Sequence, residues 1–123
     1  MELLLLDFQL SVCKIRELAA VDWHGAFTSL TGTADELSLV CESRLVPAGL
    51  DAVEPGWRAL RVAGTLDFNA VGVLKGLSGT LANENISVFV VSTYDTDYIL
   101  IKEKDLSTSL TALKKSGYTV ETA

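Results

Sequence analysis

The chain has 123 residues, with ten basic against sixteen acidic ones for a formal net charge of −6, and 49% of it is hydrophobic. That is enough apolar matter for one compact domain or two small fused modules, and the acidic balance repels a phosphate backbone, so nucleic acid is excluded as an expected partner. No apolar run approaches the roughly 20 residues of a membrane helix, which excludes a spanning segment, and Cys13 and Cys41 occur without a Cys-x-x-Cys pair, so reduced thiols in a cytoplasmic protein are expected.

In chain order, the apolar run at Leu3 to Leu6 is flanked by Glu2 and Asp7, which marks a strand and not a signal peptide. This first strand is expected to run to about Val12, with Cys13 at its end. Lys14 to Trp23 leaves room for a helix of only about two to three turns. His24 lies in no nucleophile motif and is expected at the surface or a strand end. Leu37 to Glu42 alternates as a half-buried strand and carries Cys41, so both cysteines read as small core or interface residues. Pro47 and Pro55 bracket a short or irregular segment.

The second half is more regular. Trp57 to Gly64 alternates as a strand, and a turn follows. Ala70, Val71, Leu74, Leu77, Leu81 and Ala82 share one face of a helix predicted from Asn69 to Glu84, with Asn83, Glu84 and Asn85 as its stop. Two β-branched and aromatic runs, Ile86 to Val91 and Tyr98 to Ile101, make a hairpin. Asp105 is placed to cap a last helix with Leu106, Leu110 and Leu113 on one face. Lys114 and Lys115 suit its negative end, and Gly117 closes it before a strand at Tyr118 to Val120. The order β-α-β-β-α-β predicts an α+β, ferredoxin-like sandwich with both helices on one face of an antiparallel sheet.

The first half reads as a reduced copy of the second. At a constant offset of 61, Thr31 pairs with Ser92, Glu36 with Asp97, Leu39 with Leu100, Gly56 with Gly117 and Trp57 with Tyr118. The expected organisation is therefore an abbreviated module over residues 1–56 and a full one over 57–123.

The run from Asn85 to Leu106, with its Ser92-Thr93-Tyr94-x-x-Asp97 segment, an apolar strand and an acidic helix start, resembles the ACT family. The likeness is to the branch that contains the cytosolic arginine sensors, and it extends from about Trp57 to Gly117, including the Gly72-Val73 step. It implies a ferredoxin-like regulatory unit that associates side by side, binds a small amino acid at a module or subunit junction, forms a homodimer and acts on an effector protein. It also implies ligand contacts at Gly72, Val73, Ser87, Val88 and Asp97, drawn from two facing modules. Physical chemistry supports such a set: a helix N-terminus offers unsatisfied N–H groups to a carboxylate, and Gly72 lets a ligand approach closely. Asp67 or Asp97 receives an ammonium or a cationic side chain, Ser87 offers a hydroxyl, and Asn69 opens the helix.

Plainer readings stand beside these. Gly72 serves packing alone, Asp67 caps the helix, and Ser87 faces solvent. Asp95 and Asp97 form a solvated turn, since no histidine or further carboxylate accompanies them to hold a metal. Gly72, Gly76 and Gly79 fall at helical spacing in no phosphate-loop pattern and suit close packing instead. Three functions follow: an amino-acid-responsive regulator, a ligand-free module that dimerises through sheet edges and helices, and a small enzyme on the same topology. The last would need an arginine-containing glycine loop, which is not in the sequence, so no catalytic residue, metal or cofactor is expected.

Overall fold

A computed structural model describes residues 1–63 and 72–123. It divides into two compact units: Phe8–Trp57, and a second made of Met1–Asp7 with Arg58–Ala123. The expected first strand is thus two strands, β1 (Glu2–Leu5) and β2 (Leu10–Ile15), one in each unit. Asp7 interrupts the apolar run between them.

In the unit Phe8–Trp57, β2 is followed by β3 (Thr28–Gly32), β4 (Leu37–Glu42) and the first part of β5 (Val53–Val62). Their order is β3-β4-β2-β5, the order of a ferredoxin-like sheet. Both helices of that plan are reduced to three-residue 3₁₀ turns, Leu18–Ala20 and Ser43–Leu45. The expected short helix after β2 is therefore absent among the described residues: β2 continues to Ile15 and consumes residues it would need. Pro55 lies inside β5, where β2 meets the strand through a register shift. Leu10 faces Trp57 and Val12 faces Glu54, so Pro55 and Gly56 together oppose Ser11. Gly56 adopts φ +81° there, which suits the extra residue of a bulge. The core is small: Cys13, Ile15, Leu39 and Cys41 are buried, with Val21, Leu30, Val46 and Leu50 packed against them.

The loop replacing the first helix is fixed by a buried carboxylate. Glu42 accepts the Ala26 N–H at 2.8 Å and two guanidinium bonds from Arg44, and the Ala26 bond first, then Arg44, holds its pKa below the ordinary glutamate value. A carboxylate lowered in the folded state contributes stability that is complete above its unfolded pKa and is lost as pH falls through the folded one. Urea midpoints are accordingly expected to fall more steeply below about pH 4 in the wild type than in Glu42→Gln, which keeps an acceptor but cannot titrate. Parallel pH profiles would remove Glu42 from the account.

The other unit holds β1, the end of β5, α1 (Val73–Ala82), β6 (Val88–Ser92), β7 (Asp97–Lys102), α2 (Leu106–Lys115) and β8 (Thr119–Thr122). Its strands run β6-β7-β5-β1-β8. This is the expected sandwich with β1 inserted between its first and last strands, antiparallel to β5 and parallel to β8, so one pairing departs from the antiparallel plan. Leu77 and Leu81 of α1 and Leu113 of α2 share one buried cluster with Leu3, Leu5, Ile99 and Ile101, which puts both helices on one face.

Both helices end alike. Ile86 N–H bonds to Leu81 O and Asn85 N–H to Ala82 O, while Tyr118 N–H bonds to Leu113 O and Gly117 N–H to Lys114 O. Asn85 (φ +59°) and Gly117 (φ +96°) take the left-handed position, and these are two Schellman closures. Asp105 does not cap α2 with its side chain. A 3₁₀ turn, Glu103–Asp105, leads directly into that helix, and the Asp105 carbonyl accepts the Ser109 hydroxyl.

The two hairpins correspond in register, though not at the expected offset. Thr28↔Cys41 and Gly32↔Leu37 in one recur as Val88↔Ile101 and Ser92↔Asp97 in the other, sixty positions on. The turns agree: Thr33 N–H bonds to Glu36 O, and Thr93 N–H to Thr96 O. Since side chains alternate with period two, the slip of one residue would have put each strand's buried set on the wrong face. Leu39, Val40 and Cys41 are buried where Ile99, Leu100 and Ile101 are, and Leu37, not Glu36, stands where the second hairpin has Asp97. Among the described residues no helix is long and apolar enough to cross a membrane.

Candidate functional site

Helix α1 begins at Gly72, which adopts φ +84° and makes no side-chain cap. Among the described residues nothing lies within 4 Å of where its Cβ would be. The left-handed backbone there favours glycine. The first helical bond runs from Gly76 N–H to Gly72 O, so the N–H groups of Val73, Leu74 and Lys75 have no partner within the helix. Close packing explains Gly76, where a Cβ would sit 2.9 Å from the Tyr118 hydroxyl. Asp67 and Asn69 lie outside the described residues.

Gly72 and Val73 border a cleft of about 370 Å³ completed by Met1, Ser116, Gly117 and Tyr118. The donor end of α1 and the carbonyl end of α2 flank this cleft, so partial charges of opposite sign face it. The sequence reading did not select Ser116 to Tyr118. Their signal was the closing glycine of α2, which reads as a helix stop and says nothing of what lies beside it.

The remaining candidates lie elsewhere. Ser87 is exposed just ahead of β6, and Val88 is half-buried against the helix-face core. The Leu81 to Ile86 closure ties them to the C-terminal end of α1, about 15 Å from Gly72 along a ten-residue helix. Asp97 is half-buried at the start of β7, opposite Ser92 at the far end of β6. Thr96, beside it, donates its hydroxyl to Val62 O at 2.8 Å, so Asp97 lies at the end of the sheet from which the chain leads to Gly72. A single copy of this unit therefore separates Gly72, Val73 and Asp97 from Ser87 and Val88.

His24 is exposed and bonded to Asp22 by its backbone N–H and its Nδ1, in the loop where the other unit has a helix. Tyr94 stands out at the tip of the β6–β7 turn. Tyr94 is not among the residues that line the cleft.

A ferredoxin-like α+β sandwich with a cleft at its helix ends defines the structural class, and the sequence assigns the family: the ACT domain family model matches residues 52–115, over half of the chain, which belongs to that family. Within it, the chain is similar to the cytosolic arginine sensor for mTORC1 subunit 1. The Bos taurus protein is 33% identical over 99 residues, covering 72% of this chain and 30% of that protein. The Homo sapiens protein is 35% identical over 91 residues, covering 66% and 28%. The chain thus spans less than a third of the length of these relatives. Among solved structures, a protein from Agobacterium tumefaciens is 29% identical with a TM-score of 0.89, over 99% of this chain and 92% of that one. Aspartate kinase from Clostridium acetobutylicum shares the fold at 12% identity and a TM-score of 0.67, over 89% of this chain and 33% of that one.

Proposed function

We propose that this chain is a cytoplasmic regulatory protein that responds to a small amino acid held at a junction between modules or subunits, without covalent chemistry. The observation that carries this reading is the division of the candidate residues between the two ends of α1. A two-fold axis across the middle of α1 would exchange its ends, setting Gly72, Val73 and Asp97 of one copy beside Ser87 and Val88 of another. The helix N–H groups then receive the ligand carboxylate and Asp97 its ammonium or a cationic side chain. Arginine sensing by the relatives supports an amino acid as the ligand, and residues 8–57 act as a reduced second module. Leu37 in place of Asp97 leaves that module without the equivalent carboxylate.

Such pairing suits the sheet edge as well. Among the described residues strand β6 pairs with β7, and its Val88, Val90 and Val91 carry no charge, a composition that suits strand-to-strand association. This edge also favours the second reading, a module that dimerises without ligand. A thermal-shift screen against the twenty amino acids and common nucleotides separates the two, run with light scattering at tens of micromolar protein. A ligand that binds only the native state stabilises it by about 2.7 kcal/mol at a hundredfold excess over Kd. We expect a dimer mass and a shift with at least one amino acid. A dimer that no amino acid shifts would leave the dimerisation module, and a monomer would remove the two-fold site.

A further inference from the structure

We propose that Cys13 and Cys41 form a two-coordinate site for one soft d¹⁰ metal ion inside the unit Phe8–Trp57. Across the β2–β4 pairing Cys13 faces Leu39 and Cys41 faces Ser11, so the cysteines are diagonal neighbours on one face of the sheet. Both are in the buried cluster with Ile15 and Leu39, 3% and 1% exposed. Diagonal antiparallel neighbours have Cα atoms about 7–8 Å apart, beyond the ~4.4–6.8 Å that a disulfide spans. An ion bound by two thiolates at about 2.3 Å each separates the sulfurs by up to ~4.6 Å instead of ~2.05 Å, and the diagonal accommodates that.

The ligand number selects the metal. Among the described residues no group of three or more His, Cys, Asp or Glu could hold an ion, so zinc, which needs four ligands, and calcium or magnesium, which need six or more oxygens, are not satisfied. Thiolates select soft ions, and two of them complete the shell of a linear d¹⁰ ion. Binding breaks two S–H bonds, forms two metal–sulfur bonds and releases two protons to solvent, with no change of oxidation state. A divalent ion gives a neutral complex and a monovalent one leaves a negative charge in an apolar core, so the divalent ion binds more tightly. Burial raises both thiols, Cys41 to about 11, so the empty pair stays protonated and inert to oxidants. Cys13 also borders a surface cleft with Val12, Lys14 and Ser38.

The test uses the full chain, titrated with mercuric and with silver ion while thermal stability and the ultraviolet thiolate-to-metal band are followed. We expect one ion per chain, a raised melting temperature, protection of both cysteines from alkylation, and tighter binding of mercuric ion. Cys13→Ala and Cys41→Ala, each checked for native circular dichroism, are each expected to lose about 100-fold or more in affinity, because the second thiolate acts at high effective concentration. Two ions per chain, or undiminished binding in either variant, would overturn the site. So would a two-hydrogen mass loss after diamide treatment of the native protein, since it would show that the thiols reach each other directly.

Discussion

Leu81→Ala is expected to lower the free energy of unfolding by about 2–5 kcal/mol, the largest effect of any single truncation considered for this chain. Leu81 is fully buried in the helix-face core and its carbonyl receives the Ile86 N–H that closes α1. The Leu81 and Ile86 side chains belong to one buried cluster, so the substitution leaves a cavity beneath the turn that sets the start of β6. Leu113→Ala is expected to act similarly, because Leu113 stands in the same relation to Tyr118 at the end of α2. Guanidinium unfolding followed by circular dichroism measures both. Losses below about 1 kcal/mol would mean that the core collapses around the gap, and would weaken the assignment of these closures as the anchors of the sandwich.

Asp97→Asn is expected to weaken a cationic amino acid by one to two decades, and a neutral one less. Losing a charge-assisted hydrogen bond in a half-buried site costs about 1.5–3 kcal/mol. Gly72→Val is expected to abolish binding, by filling the approach and through the backbone. A β-branched residue at φ +84° is strained by about 1–3 kcal/mol, and relief of that strain moves the first turn of α1, whose N–H groups are to receive the carboxylate. Gly72→Ala gives the intermediate case, since its strain and its bulk are both smaller. Calorimetry of the three variants against the amino acid found by thermal shift decides the matter. Unchanged affinity in Asp97→Asn and Gly72→Val would place the ligand elsewhere on the chain.

Local chemistry in the sequence determined most elements of the second unit. The spacing of Leu74, Leu77 and Leu81, the stop at Asn85, the β-branched hairpin strands and Gly117 each act within a few residues. The hairpin strands and the last helix appear close to their predicted bounds, while the predicted start of the first helix at Asn69 lies outside the described residues. The family was legible for the same reason, since its recurrent segment lies in that hairpin and the turn that joins its strands. Pairing across the chain was not legible. One apolar run, Leu3 to Val12, became two strands because β1 pairs with β5 and β8, residues more than fifty positions away, and only three dimensions decide such partners. The hairpin offset of sixty emerged from hydrogen-bond register, since two alternating patterns one residue apart look equally good as text. The site divides in the same way. The sequence named the residue types that an amino acid would need, and the tertiary structure decided that Gly72 and Ser87 stand at opposite ends of one helix, because a rigid ten-residue rise of about 15 Å separates them.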